Sequence, residues 1–299
     1  MEPDVAFVVA PDEQGERLDK LLLARVPELG RRAAARLFAS GAVRVDGRRA
    51  EKGWLALAGQ RVSVTASMDL LPNADVPLDV RLQTADLIVV CKPAGLPTAP
   101  IDRSETHTLA NALLARYPEM RGVGYRPVEP GLLHRLDTHT SGLVLAARHA
   151  RAFDELRTAI TTGALHKKYL AVVSGRGLDE RLTIDLPLEP DPSDRRRVRI
   201  GGATFRRTEA RLLESTGDRA LVELSVARAY RHQIRAHLAA VGHPIVGDAL
   251  YGGVHADELR GRHALHASHI GWAGSSTIVA FAIDDALPHD LSQLMLRDP

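Results

Sequence analysis

Between Gly131 and Gly142 the chain reads Gly-Leu-Leu-His-Arg-Leu-Asp-Thr-His-Thr-Ser-Gly and sets one carboxylate, Asp137, among hydroxyls and cations. Small and hydroxyl-bearing residues can hold a carboxylate in one orientation through side-chain and backbone donors, and a nearby arginine keeps it ionised and nucleophilic. The same residues also suit an aspartate that only organises a turn through side-chain to backbone bonds. A metal centre is a poorer reading, because His232, His237 and His243 form no H-E-x-x-H set and a single cysteine, Cys91, excludes a thiolate zinc cluster. A carboxylate-pair glycosidase needs a second acid at defined separation, and no motif supplies one. Neither a G-x-G-x-x-G nor a phosphate-loop signature is present, so no cofactor is expected.

His134 through Gly142 resembles the His-Arg-Leu-Asp-x-x-Thr-Ser-Gly signature of the RluA-type RNA pseudouridine synthases at every fixed position. Four further stretches resemble that family in order: Asp86–Gly95, Lys167–Gly175, His232–Asp248 with Tyr251-Gly252, and Leu265-His266-Ala267. The resemblance implies isomerisation of a uridine within RNA to pseudouridine, with Asp137 as the nucleophile and Tyr169 against the base, assisting proton transfer. On a helix, Ile234, Leu238 and Val241 make a buried stripe at i, i+4, i+7 and leave Arg231 and Arg235 at its edge. Arg235 is then the expected partner of Asp137, while Arg135, Arg231 and His232 are expected to meet RNA. A target buried in an RNA stack must be flipped out to reach the carboxylate. The match breaks at Arg228-Ala229-Tyr230-Arg231, where the family usually has Thr-Gly-Arg-Thr, and one RNA contact is expected to differ there. Cys91 and Thr98 stand where Asn and Val are more usual.

The elements around these residues point to two domains. From Gly15 to Val62 there are 11 Lys/Arg and 5 Asp/Glu, a local +6 in a chain of net +2, so the remainder sums to −4. Such a basic region suits a polyanion such as nucleic acid. Its order (Arg17-Leu18-Asp19-Lys20, a basic helix from Arg31 to Ala39, Gly41, then Val43-Arg44-Val45-Asp46-Gly47) resembles the alpha-L RNA-binding module of a ribosomal small-subunit protein. Arg17, Arg31, Arg32, Arg36 and Arg44 are its expected RNA contacts. The expected division is a module over 1–66, a linker over 67–79 and a catalytic domain over 80–299. In that domain short strands such as Leu87–Cys91, Leu143–Leu145, Leu170–Val173 and Leu221–Leu224 alternate irregularly with helices near 150–161 and 232–241, which predicts an α+β fold with a mainly antiparallel sheet. A second basic run, Arg195–Arg199 with Arg206 and Arg207, reads as a solvated hairpin placed to grip RNA. With no apolar run of about 18 residues, no secretory n-region and no coiled-coil period, the expectation is a cytoplasmic monomer acting on ribosomal RNA, the alternatives being action on transfer RNA or a non-catalytic RNA-binding or ribosome-assembly protein.

Overall fold

The computed structural model describes residues 5–27, 29–39, 41–64, 70–101, 105–175, 177–227 and 229–296; within these, nothing is said of the side chains of Arg32 and Arg36. The chain forms two compact units, 1–72 with 100–106 and 73–99 with 107–299.

The first unit contains β1 (Val5–Val8), α1 (Leu18–Arg25), α2 (Arg31–Ala39), β2 (Val43–Val45), β3 (Arg48–Arg49) and β4 (Arg61–Val64), its sheet ordered β1-β4-β2-β3. Asp46 and Gly47 both take positive φ, 49° and 79°, as the two-residue hairpin turn between β2 and β3 requires. Ala34 and Phe38, four apart on α2, pack with Leu18, Leu22, Val43 and Val62 in one core. Strand β1, antiparallel to β4 from Val5↔Val64 to Val8↔Arg61, is a fourth strand that the sequence pattern did not mark.

The second unit holds β5 (Asp79–Gln83), β6 (Leu87–Lys92), α3 (Leu109–Arg116), β7 (Ser141–Ala147), α4 (Ala150–Thr161), β8 (His166–Ser174), β9 (Arg181–Pro190), β10 (Val198–Thr216), β11 (Arg219–Ser225), α5 (Gln233–Ala240), β12 (Leu265–Trp272), β13 (Phe281–Asp284) and α6 (His289–Leu296). Its sheet runs β5-β6-β7-β12-β8-β11-β10-β9, with β13 on β12. Every pairing described is antiparallel except β7 with β12, which is the α+β architecture expected.

Strand β7 is buried along its whole length, and Leu143 and Leu145 pack with Leu87, Val89, Phe153 and Leu156. The loop carrying Asp137 thus runs straight into the centre of the core. Gly142 takes φ +113°, and a Cβ there would lie 2.3 Å from the Ala267 carbonyl oxygen, so only glycine lets β12 approach β7 this closely. Helix α3 is buried from Leu109 through Leu114 and so lacks the one-sided apolar period by which a surface helix is recognised. Helix α5 departs from the expected stripe in the same way. Gln233 through Leu238 are all buried, Val241 falls outside the helix as its C-cap, and Arg235 lies in the interior rather than at an exposed edge.

Candidate active site

The turn bearing Asp137 is held by its backbone. Thr98 Oγ1 donates to the Leu136 carbonyl at 2.7 Å and accepts from the Leu136 N–H at 3.1 Å. The Thr138 carbonyl accepts from the Gly95 N–H at 2.8 Å and from Lys92 Nζ at 3.1 Å. Lys92, fully buried at the end of β6, also donates to the Pro93 and Leu96 carbonyls, each at 2.8 Å, tying the loop after β6 to the Asp137 turn. Beyond Asp137, Thr140 Oγ1 lies 2.7 Å from His263 Nε2, and Ser141 Oγ lies 2.9 Å from His266 Nδ1 and accepts from Arg262 at 2.8 Å. The Thr-Ser pair of the motif therefore ties the turn to the start of β12.

Across the turn stands Arg235, on α5. Its Nη1 donates to Asp137 Oδ2 at 2.7 Å, while Nε and Nη2 donate to the two oxygens of Asp248 at 2.7 and 2.8 Å. The Arg235 side chain is 8% exposed and that of Asp248 1%, whereas Asp137 keeps 27%. Arg235 thus shares a buried interior with one carboxylate and presents the other to a cleft. Tyr251 lies under the same guanidinium, 5.1 Å from ring centroid to Cζ.

His232 completes this side. It adopts the left-handed region, φ 53°, just before α5, and its Nδ1 meets the Tyr251 hydroxyl at 3.0 Å while Nε2 lies 3.7 Å from Asp137 Oδ2. A non-glycine residue held in that region is strained backbone beside the site. Burial above all pushes the His232 imidazole down to about 4, so at neutral pH it is uncharged. Burial also works to raise the Asp137 carboxyl, but the pull of His232 when that ring is protonated, the charge of Arg235 and the Arg235 hydrogen bond outweigh it and leave the acid below its ordinary value. With His232 neutral, Arg235 is the standing charge that keeps Asp137 ionised. Tyr169, on β8, is buried, and burial followed by the charge of Asp137 drives its phenol well above the ordinary tyrosine range. It therefore carries its proton at neutral pH.

Arg135, Asp137, Tyr169, Tyr230, His232 and Arg235 line one cleft. Of the expected site residues in this unit, only Arg231 lies outside it: its Nη2 donates to the Arg195 carbonyl at 2.9 Å and to that of Arg196. Arg135 is largely exposed and pairs with Glu129 at 3.0 Å. In the N-terminal unit, Arg17 forms a two-bond pair with Asp19, Arg44 donates to the Gly47 carbonyl and Arg31 is exposed; the side chains of Arg32 and Arg36 lie outside the described residues. The sequence reading missed three supports of the site: Asp248, Lys92 and Thr98. Asp248 gave one signal, a lone acid closing the apolar run Pro244-Ile245-Val246-Gly247. Cys91 bonds Asp285 through Sγ at 2.9 Å, and burial and then that carboxylate push its thiol up to about 12. Among the described residues no group of three or more His, Cys, Asp or Glu is gathered as a metal ion would require, and no helix is long and apolar enough to cross a membrane.

The fold is that of the pseudouridylate synthases. A human RNA pseudouridylate synthase domain-containing protein 4 structure superposes with TM-score 0.56 at 23% identity over 72% of this chain and 90% of its own. The corresponding domain-containing protein 1 gives 0.55 at 25% over 76% and 99%. In sequence, the RNA pseudouridylate synthase family profile matches residues 86–240. An uncharacterized RNA pseudouridine synthase of Chloroflexus aurantiacus is 37% identical over 97% of this chain and 92% of its own. The ribosomal large subunit pseudouridine synthase D of Xanthomonas campestris is 33% identical over 96% and 90%. The chain belongs to the RNA pseudouridylate synthase family, isomerases of uridine in RNA, as the Asp137 motif implied.

Proposed function

We propose that the chain converts uridine to pseudouridine in large-subunit ribosomal RNA, with Asp137 as the nucleophile. The observation that carries this is the 2.7 Å pair between Asp137 and Arg235, set in a cleft walled by Tyr169. The reaction breaks the bond from ribose C1′ to uracil N1, forms one from C1′ to C5, moves a proton off C5 and leaves N1 protonated. A carboxylate held ionised can attack an electron-poor carbon, support positive charge developing on the ribose and later depart. Arg235 orients Asp137 and is itself fixed by Asp248. Tyr169, keeping its proton, walls the base and can relay a proton through its hydroxyl, without standing as a phenolate. Ribosomal RNA is favoured by the name of the Xanthomonas campestris relative and by the basic stretch from Gly15 to Val62.

Site-resolved pseudouridine mapping of total RNA from cells with the wild-type gene, a deletion and Asp137→Asn tests both parts. Loss of the same large-subunit sites in both mutants supports the reading. Loss at transfer-RNA sites alone replaces the substrate, and an unchanged map in Asp137→Asn removes Asp137 from the chemistry.

A further inference from the structure

Five arginines on β10 and in the loop before it are matched to acids. Arg196 pairs with Asp194 at 2.8 Å, Arg197 with Asp191 at 3.2 Å, Arg199 with Glu189 at 2.6 Å, Arg207 with Asp185 at 3.0 Å and Arg211 with Glu223 at 3.0 Å. Arg206 is different. It has no carboxylate partner among the described residues, its buried Nε makes no hydrogen bond, and its guanidinium lies over the ring of Tyr230 with Cζ 4.9 Å from the centroid. Leaving a buried charged N–H without an acceptor costs about 1–3 kcal/mol, so this placement needs a compensating purpose.

The stack is built, not incidental. Between Ile200 and Phe205 the β9–β10 register breaks, and Gly202 at φ 84° carries the chain through the bulge just before Arg206. Bulges of this kind re-aim the side chains that follow them. Buried Gln233 fixes the other half: its Oε1 accepts from the Tyr230 N–H at 3.0 Å, and its Nε2 donates to the Arg207 carbonyl at 2.9 Å and to Thr208 Oγ1 at 3.1 Å. Residues 206–208 and 230 are thus bolted together, and Tyr230 lines the cleft that holds Asp137. Tyr230 is also one of the positions where the match to the family motif breaks.

From this arrangement we propose that Arg206, held on Tyr230, binds a backbone phosphate of the RNA strand beside the target uridine. The inference rests on the reading that Asp137 acts on RNA. A guanidinium stacked on an aromatic ring keeps its charge and leaves its edge donors pointing outward in a planar fork, which matches two phosphate oxygens. Its neighbours cannot serve equally, since their forks are already closed by carboxylates. Arg181 and Arg195 also have no carboxylate partner among the described residues, but both are exposed, whereas Arg206 is stacked on a residue of the nucleophile's cleft.

The test is the salt dependence of binding of the full-length protein to a short single-stranded oligouridylate, for wild type, Arg206→Ala, Arg206→Lys and Tyr230→Leu. Each contacted phosphate on a single strand contributes about 0.7 to the slope of log K against log salt. Arg206→Ala is expected to weaken binding about tenfold at low salt and to lower the slope by about 0.7. Arg206→Lys retains the slope. Tyr230→Leu, which frees the guanidinium to wander, weakens binding about threefold with the slope kept. An unchanged slope in Arg206→Ala, with thermal melting like wild type, overturns the assignment. Pseudouridine formation by wild type and Asp137→Asn on ribosomal RNA from deletion cells separates this result from the parent reading. If the wild type forms none while Arg206→Ala still lowers the slope, the uridine chemistry fails and the phosphate contact stands.

Discussion

Asp248→Asn isolates what holds Arg235. In the native site Arg235 makes three charge-assisted bonds of 2.7 to 2.8 Å, two of them to Asp248, whose side chain is 1% exposed. Asparagine keeps one acceptor oxygen but turns an NH2 toward a guanidinium N–H, so one bond is lost and a donor faces a donor. Charge-assisted bonds contribute about 1.5–3 kcal/mol each, and breaking a buried pair from one side costs about 3–5 kcal/mol, so a loss of about 3 kcal/mol is expected. In a domain of about 150–250 residues each kcal/mol moves Tm by about 2–4 °C, which gives a fall of about 6–12 °C. Catalysis should drop about 100-fold with it, because a displacement of about 1 Å in a group that orients the nucleophile costs that much. Asp137→Asn is the control, since it leaves both Asp248 bonds in place and removes a partner whose side chain is 27% exposed. It should abolish turnover while costing about 1 kcal/mol or less. Calorimetry and tritium release from 5-tritiated uridine RNA read the two effects separately. If the two variants lose equal stability, or Asp248→Asn melts like wild type, the clamp is not what positions Arg235.

Thr98→Val, nearly isosteric, strips both bonds from the Leu136 backbone and should lower stability by about 1–3 kcal/mol; an unmoved denaturant midpoint would mean those groups find other partners. Gly142→Ala forces a Cβ to 2.3 Å from the Ala267 carbonyl oxygen and should destabilise by more than about 4 kcal/mol, and soluble, melting-competent protein would refute it. Burial drives His134 and His263 down to about 3 and His232 and His266 down to about 4. These folded-state values lie below the unfolded imidazole near 6.5, so the unfolded chain binds the extra protons. Stability is then complete above about pH 6.5 and falls as the pH drops toward 4, with up to four protons taken up on unfolding; a flat stability profile between pH 7 and 5 would contradict that.

The pairing of Asp137 with Arg235 was legible because two separate family-like stretches, His134–Gly142 and His232–Asp248, each named one end. The burial of Arg235 was not, since the charge that permits it, Asp248, lies beyond the helix and a helical stripe says nothing of a carboxylate packed underneath. Thr98 and Lys92 escaped for a related reason: both bond backbone carbonyls or amides across the fold, and no side-chain pattern announces those. Strand β1 is only four residues long, too short for its alternation to stand out. Arg231 read as an RNA contact and proved to be tied to the tip of the basic arm, whereas Arg206, named only as part of its run, stands apart with a buried Nε that makes no hydrogen bond.

The parallel seam at Gly142 also dictates when the site can exist. Ser141 meets His266 across 125 residues of chain, so closing that contact carries the entropy of a long loop and ranks among the late, non-local events of folding. As a nascent chain leaves the ribosome from its N-terminus, Lys92, Gly95 and Thr98 emerge in time to hold the Asp137 turn, but the side chains of Thr140 and Ser141 have no partner until His263 and His266 follow. The N-terminal sheet, whose strands pair within the first 64 residues, can form long before. An emerging chain therefore closes its N-terminal sheet first and its Asp137 cleft last.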